Sequence, residues 1–128
     1  MYEKLLELQK RSYAPYSFYK VSAILVTNDN REFIGVNVEN ASYGGSICAE
    51  RNALNNAISN GYTKGDFKKL YVMTDGDKIS YPCSICIQSF VEFFDNNMNI
   101  VCFNKKGESD TVTLNDLCPY AFNADDLV

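Results

Sequence analysis

Apolar and polar positions change period several times along the chain. Tyr2, Leu5, Leu6 and Leu8, running on to Tyr13, recur at helical spacing. They predict a first amphipathic helix that ends before Pro15, because the residue ahead of a proline avoids helical backbone. Val21 to Thr27 is a nearly unbroken apolar run rich in β-branched residues, as expected of a strand covered on both faces. Asn28-Asp29-Asn30 is a turn signal, and Arg31 to Val38 reads as a second strand, so the two form an antiparallel hairpin. Cys48 to Asn60 carries Ala49, Ala53, Leu54, Ala57 and Ile58 at helical spacing, with Gly61 as its stop. Lys69 to Thr74 predicts a third strand. Pro82 opens a third helix, where its missing N–H costs no helical bond, and Cys83, Cys86, Ile87, Phe90 and Phe94 share that helix's stripe. Asn99 to Phe103 predicts a fourth strand and Thr111 to Leu114 a fifth. The Lys-Lys-Gly turn between them is too short for a parallel crossover, so they pair antiparallel.

The resulting order, α-β-β-α-β-α-β-β with a short tail, predicts an α/β fold: three layers, α-β-α, around a five-stranded mixed sheet. No repeat, low-complexity stretch or linker interrupts it, and 128 residues suit one domain spanning 1–128. The two cysteine-bearing helices can then start at the same edge of the sheet, where strand ends leave a crevice.

Composition narrows the chemistry. The net charge is −4 with no basic tail, which argues against nucleic acid or an anionic membrane as the main partner. No apolar run is long enough to span a bilayer. The opening Met-Tyr-Glu-Lys-Leu-Leu-Glu carries acids and lacks the apolar stretch of a signal peptide, so a cytoplasmic location is expected. The absence of histidine removes Ser-His-Asp triads, Cys-His pairs and histidine-ligated metals. Five cysteines, an odd number, point to reduced thiols, a metal site or catalysis rather than a disulfide framework.

One constellation carries chemistry: Cys48-Ala49-Glu50, then Pro82-Cys83-Ser84-Ile85-Cys86. Cys83 and Cys86 are three apart, so on a helix their thiols face one side. Cys48 sits at a predicted helix N-terminus, where the positive end favours thiolate, the metal-binding form. Three thiolates and one open position describe a catalytic zinc site, one ion per chain. Glu50 is the candidate proton carrier; it must stay off the metal and reach both its water and the substrate, so the pocket must lie across the helix end. Cys102, in an apolar strand, and Cys118, ahead of Pro119, read as small buried hydrophobes.

With these residues in place the chain resembles the zinc-dependent cytidine deaminases, in their small homotetrameric form. The resemblance runs from Ala14-Pro15-Tyr16-Ser17 to Leu127. It is strongest over Asn37 to Gly44 followed by Ile47-Cys-Ala-Glu-Arg51, then over Pro82-Cys-x-x-Cys86 with Gln88, and near the tail at Leu117-x-Pro119 with Ala121-Phe122. It implies that Cys48, Cys83 and Cys86 bind Zn2+ and that Glu50 carries protons. Arg51 would hydrogen-bond and partly neutralise the zinc thiolates. Asn37 and Glu39 match the pair that holds the ribose hydroxyls, and Tyr19 falls beside the nucleoside. Ala49 offers backbone contacts to the pyrimidine, and Phe122 reaches the base in a neighbouring subunit's site. The implied reaction is hydrolysis of cytidine or deoxycytidine to uridine or deoxyuridine and ammonia, in pyrimidine salvage.

The residues themselves favour a neutral nucleoside. A carboxylate at Glu39 can accept two sugar hydroxyls and would repel a 5′-phosphate, and no glycine-rich phosphate loop offsets it. Ile87, Lys20, Ser22, Tyr19 and Gly45-Ser46 depart from the family's usual residues; Ile87 stands where arginine is common, leaving Arg51 alone to offset the thiolate charge. Two other readings stand beside this one. The same fold could act on a nucleobase, an antibiotic nucleoside or a polynucleotide-linked base, or it could be an inactive zinc-binding protein serving in assembly.

Overall fold

The apolar run at Ser22–Thr27 forms the strand β1, and all six of its residues are buried. A tight turn at Asn28 to Asn30, with Asn30 in the left-handed region (φ 67°), returns the chain as β2, Glu32–Val36. The computed structural model describes residues 1–127, and its remaining elements are α1 (Tyr2–Gln9), α2 (Ala49–Ser59), β3 (Phe67–Met73), α3 (Ser84–Phe93), β4 (Asn99–Phe103), β5 (Ser109–Thr113) and α4 (Leu114–Leu117). Short 3-10 turns lie at Tyr43–Gly45 and Ala124–Leu127.

The sheet order is β2-β1-β3-β4-β5. Only β3 and β4 run parallel, joined by the α3 crossover; the other neighbours are antiparallel. Period-two alternation splits the apolar residues between two faces. On one face Ala23, Leu25, Leu70, Val72, Ile100 and Cys102 pack with Ala53, Leu54, Cys86 and Phe90 from α2 and α3. On the other, Ile24, Val26 and Met73 pack under Leu5 and Leu8 of α1. The expected three-layer mixed sheet is therefore the architecture observed.

Several boundaries shift, each for a local reason. Helix α1 stops at Gln9, well before Pro15, because Arg11 and Ser12 close turns onto Leu8 and Gln9 and Tyr13 then bridges to Val38. Strand β2 stops at Val36, since Val38 pairs with Tyr13 and Ile47 instead of with β1. Strand β3 begins earlier, at Phe67. Pro82 does not open α3: Cys83 is the N-cap and Ser84 the first helical residue. Strand β5 ends at Thr113 because a capping box, Thr113 with Asp116, starts α4 and takes Leu114 out of the strand.

Helix α2 lies unusually close to β2. A β-carbon on Gly35 would stand 2.3 Å from the Ala49 carbonyl oxygen and 2.5 Å from the Ala53 nitrogen. Only glycine permits that approach, and the Asn52 amide pins it by donating to the Val36 carbonyl at 2.8 Å.

Candidate active site

The N-termini of α2 and α3 meet at one edge of the sheet. Cys48 and Cys83 are the N-cap residues of the two helices, both extended, and Cys86 sits in the first turn of α3. Their sulfurs lie within 4.8 Å of one another, and among the described residues this is the one such group of metal-ligating side chains. Cys48 Sγ and Cys83 Sγ are 3.8 Å apart. A tetrahedral ion with Zn–S bonds of about 2.3 Å requires sulfur–sulfur edges of about 3.8 Å, so the donor set fits zinc in both spacing and softness.

The electrostatics suit thiolate ligation. The Cys86 thiol hydrogen-bonds Cys48 and, against the cost of burial and with help from Arg51 and Cys83, pulls the Cys48 thiol down to about 5. The same bond to Cys48, with burial, pushes Cys86 up. A bound cation would favour the deprotonated form of all three thiols. Arg51 Nη2 lies 4.0 Å from Cys48 Sγ. Ile87 packs against the core and offers these sulfurs nothing.

Glu50 follows Cys48 by two residues but is not aligned against it. The bend from extended Cys48 into α2 lets both side chains border one cavity of about 220 Å³, with Tyr19, Asn37, Glu39, Ala49 and Cys83. Glu50 is 6% exposed. Burial, reinforced by the charge on Cys48 and opposed by its own backbone N–H, pushes its carboxyl up to about 7. A group that changes protonation near neutral pH is suited to moving protons in both directions.

The other end of the cavity is built by an extended segment. Val38 exchanges backbone hydrogen bonds with Ile47 at 3.0 and 2.9 Å, so Asn37 and Glu39 turn to the opposite side, toward the cavity. Glu39 Oε1 accepts from the N–H groups of Tyr16 and Ser17 at 2.9 and 3.1 Å, and Oε2 accepts from the Ser17 hydroxyl. These bonds, the Ser17 hydroxyl first, hold its carboxyl below the usual range. Asn37 accepts from the Val21 N–H at 2.9 Å and donates to the Tyr19 carbonyl at 2.7 Å. Both side chains are thus fixed before any ligand arrives. Three of the roughly four acceptor positions of Glu39 are used, so about one stays open toward the cavity rather than the two expected, and Asn37 retains one donor. Ser17 and Glu39 also border a second hollow of about 390 Å³, with Tyr16 and Tyr43.

Phe122 is not brought to this cavity. It is 57% exposed, and its carbonyl accepts from Gln88 Nε2 at 2.8 Å. A hollow of about 400 Å³ lies between the end of α3 and the tail, lined in part by Glu92, Asp95 and a half-buried Cys118, away from the three clustered thiols. Cys102 is fully buried on β4, as its apolar strand implies. Five cavity residues were not foreseen: Ser17, Val21, Thr74, Ser80 and Tyr81. Ser80 and Tyr81 directly precede the Pro82-Cys83 motif, which was the available signal. Tyr81 is held by donating to Asp110 Oδ2 at 2.5 Å.

Comparison with known proteins bears on this geometry. Residues 1–102 match the family described as the cytidine and deoxycytidylate deaminase zinc-binding region. The chain is 39% identical over 121 residues to a probable cytidine deaminase of Dictyostelium discoideum, covering 94% of this chain and 80% of that protein. It is 36% identical to the cytidine deaminase of Sporosarcina psychrophila, covering 98% and 93% of the two chains. The crystal structure of the cytidine deaminase from Burkholderia pseudomallei superposes with a TM-score of 0.90 at 41% identity, covering 94% of each chain.

Proposed function

The chain belongs to the zinc-binding cytidine and deoxycytidylate deaminase family, and from that membership we propose that it hydrolyses cytidine and deoxycytidine to uridine and deoxyuridine, releasing ammonia. The observation that carries this reading is the cluster of Cys48, Cys83 and Cys86, two of whose thiols border one cavity with Glu50, Asn37 and Glu39. Cys48, Cys83 and Cys86 would hold one zinc ion per chain. Bound there, zinc supplies the Lewis acidity that brings a water toward a pKa of about 7.

The remaining chemistry belongs to the chain. The reaction forms a C4–O bond and breaks the C4–N bond, and it needs one proton at N3 and another on the departing amine. Glu50, poised near neutrality and shielded from solvent, holds and delivers both. Asn37 and Glu39 bind the sugar hydroxyls and so fix the distance from ribose to C4. The Glu39 charge disfavours a 5′-phosphate, which supports a free nucleoside over a nucleotide. Ala49 backbone groups contact the pyrimidine, Tyr19 lies beside the nucleoside, and Arg51 offsets thiolate charge.

The chain 1–128 acts as one domain, four chains assemble, and Phe122 enters a neighbour's cavity; its exposure in one chain supports that placement. Five free cysteines support a reducing, cytoplasmic setting, and the proposed reaction places the chain in pyrimidine salvage. Among the described residues no helix is long and apolar enough to cross a membrane.

The test is ammonia release from cytidine and deoxycytidine by the zinc-loaded protein, beside Glu50→Gln. The variant is expected to keep its zinc and lose about 100- to 10,000-fold in kcat. Zinc bound by a wild type that turns over neither nucleoside would overturn the substrate assignment.

A further inference from the structure

Thr74 is the first residue beyond the end of β3. Leu70 and Val72 precede it on the face that packs against α2 and α3, and alternate residues of a strand share a face. Its side chain therefore continues that row past the end of the ladder, where Thr74 borders the cavity with Val21, Glu50 and Cys83. Its backbone is satisfied, since its N–H donates to the Phe103 carbonyl at 3.1 Å. Its hydroxyl is not. Thr74 is 6% exposed, and Oγ1 is buried with no hydrogen-bond partner. An unpaired hydroxyl at such depth carries its full desolvation penalty, which a valine in the same space would escape. A single staggered turn about χ1 can bring the γ-oxygen to the place the γ-methyl held, so the hydroxyl can turn to whatever fills the cavity.

We propose that Thr74 is a substrate-contacting residue whose hydroxyl hydrogen-bonds the group on C4 of the pyrimidine. This rests on the deaminase reading above. The cavity is polarised along its length: Asn37 and Glu39 hold the sugar at one end, and the three thiols with Glu50 require C4 at the other. Thr74 begins the segment, residues 74 to 83, that also brings Ser80, Tyr81 and Cys83, one of the three thiols, to the cavity wall. During the reaction the substituent on C4 changes from an amino group, a donor, to a carbonyl, an acceptor. A hydroxyl can accept from the first and donate to the second by rotating. Thr74 gains and loses no proton in this; the hydrolysis balances with water and Glu50 alone.

Thr74→Val and Thr74→Ser, both zinc-loaded, test the contact. Cytidine turnover, inhibition by uridine and the melting temperature without nucleoside are measured for each. Thr74→Val is expected to lose about tenfold in kcat/KM and to bind uridine more weakly, while melting at or above the wild-type temperature. Thr74→Ser is expected to stay within about twofold of wild type in kcat/KM. Thr74→Val with unchanged kcat/KM would overturn the proposal. So would a loss of activity that tracks a lower melting temperature in both variants, since that is a packing role. A wild type that fails to turn over cytidine would sink the deaminase reading and this contact with it, and the wild-type control tells that case apart.

Discussion

Gly35→Ala is expected to disable the site from the opposite side of α2. The added methyl would stand 2.3 Å from the Ala49 carbonyl oxygen, 2.5 Å from the Ala53 nitrogen and 3.1 Å from its Cα, all backbone atoms. Ordinary contact begins near 3.4 Å. No side chain can rotate away, so the helix must retreat by about 1 Å or the strand must bend. The Asn52 amide bond to the Val36 carbonyl resists either movement. Overpacking of this kind costs about 1–3 kcal/mol, and with only backbone atoms to give, the upper end is expected. The first contact is at Ala49, between Cys48 and Glu50, so the retreat moves the Cys48 thiol and the Glu50 carboxyl directly. A misplacement of about 1 Å in a reacting group can cost about 100-fold in rate. The assay is urea unfolding of the zinc-loaded protein, with zinc per chain and kcat/KM measured on the same samples. Gly44→Ala is the control, because a β-carbon there meets nothing within 4 Å; it is expected to be silent within about 0.5 kcal/mol. If Gly35→Ala matched wild type in midpoint and kcat/KM, the close seating of α2 on β2 would not be what positions the site.

Chelation of the metal is expected to abolish turnover and lower the melting temperature, with both restored by zinc and not by magnesium; a ligand present at about 100 times its Kd adds about 2.7 kcal/mol of stability. Full activity after exhaustive chelation would refute the thiolate site. Ser17→Ala removes the largest cause of the lowered Glu39 pKa. Because the folded value lies below the ordinary one, the stabilisation from these bonds is fully present above the unfolded pKa and is lost as pH falls through the folded value. Carbon NMR of the Glu39 carboxyl should show its titration moving up toward the ordinary glutamate value of 4.5 in Ser17→Ala, and an unmoved titration would refute the role given to the Ser17 hydroxyl.

Much of the fold was legible because its signals are local. The buried run at Ser22–Thr27, the hairpin turn and the helical stripe from Ala49 to Ile58 each declare themselves within a dozen residues, and the short β4–β5 connection dictates its own pairing. The ends of elements were less legible because tertiary partners set them. Nothing within Lys10 to Ala14 says that Tyr13 will bridge to Val38, yet that bridge is what ends α1 early. The thiol site was legible for a different reason: three cysteines with restricted spacing have few uses in a chain without histidine. Thr74 was not, since its significance is a missing partner, and a missing partner is a property of packing rather than of residue type.

The same distinction explains why the sugar end differs from its expected form. The spacing Asn37-x-Glu39 places both side chains on one side of an extended segment, and this much follows from strand geometry alone. What the spacing does not reveal is that Val38 between them is clamped from both sides, by Tyr13 and by Ile47. The second of those clamps leads within one residue to Cys48. Asn37, Glu39 and the first thiol therefore hang from a single backbone bridge, so the spacing between this polar pair and Cys48 is held by main-chain hydrogen bonds. The internal bonds of Glu39 and Asn37 then follow: with the backbone fixed, the Tyr16–Ser17 loop and the Val21 N–H aim the two polar groups before a nucleoside arrives. Less ordering is left to do on binding, at the cost of three of the roughly four acceptor positions of the carboxylate.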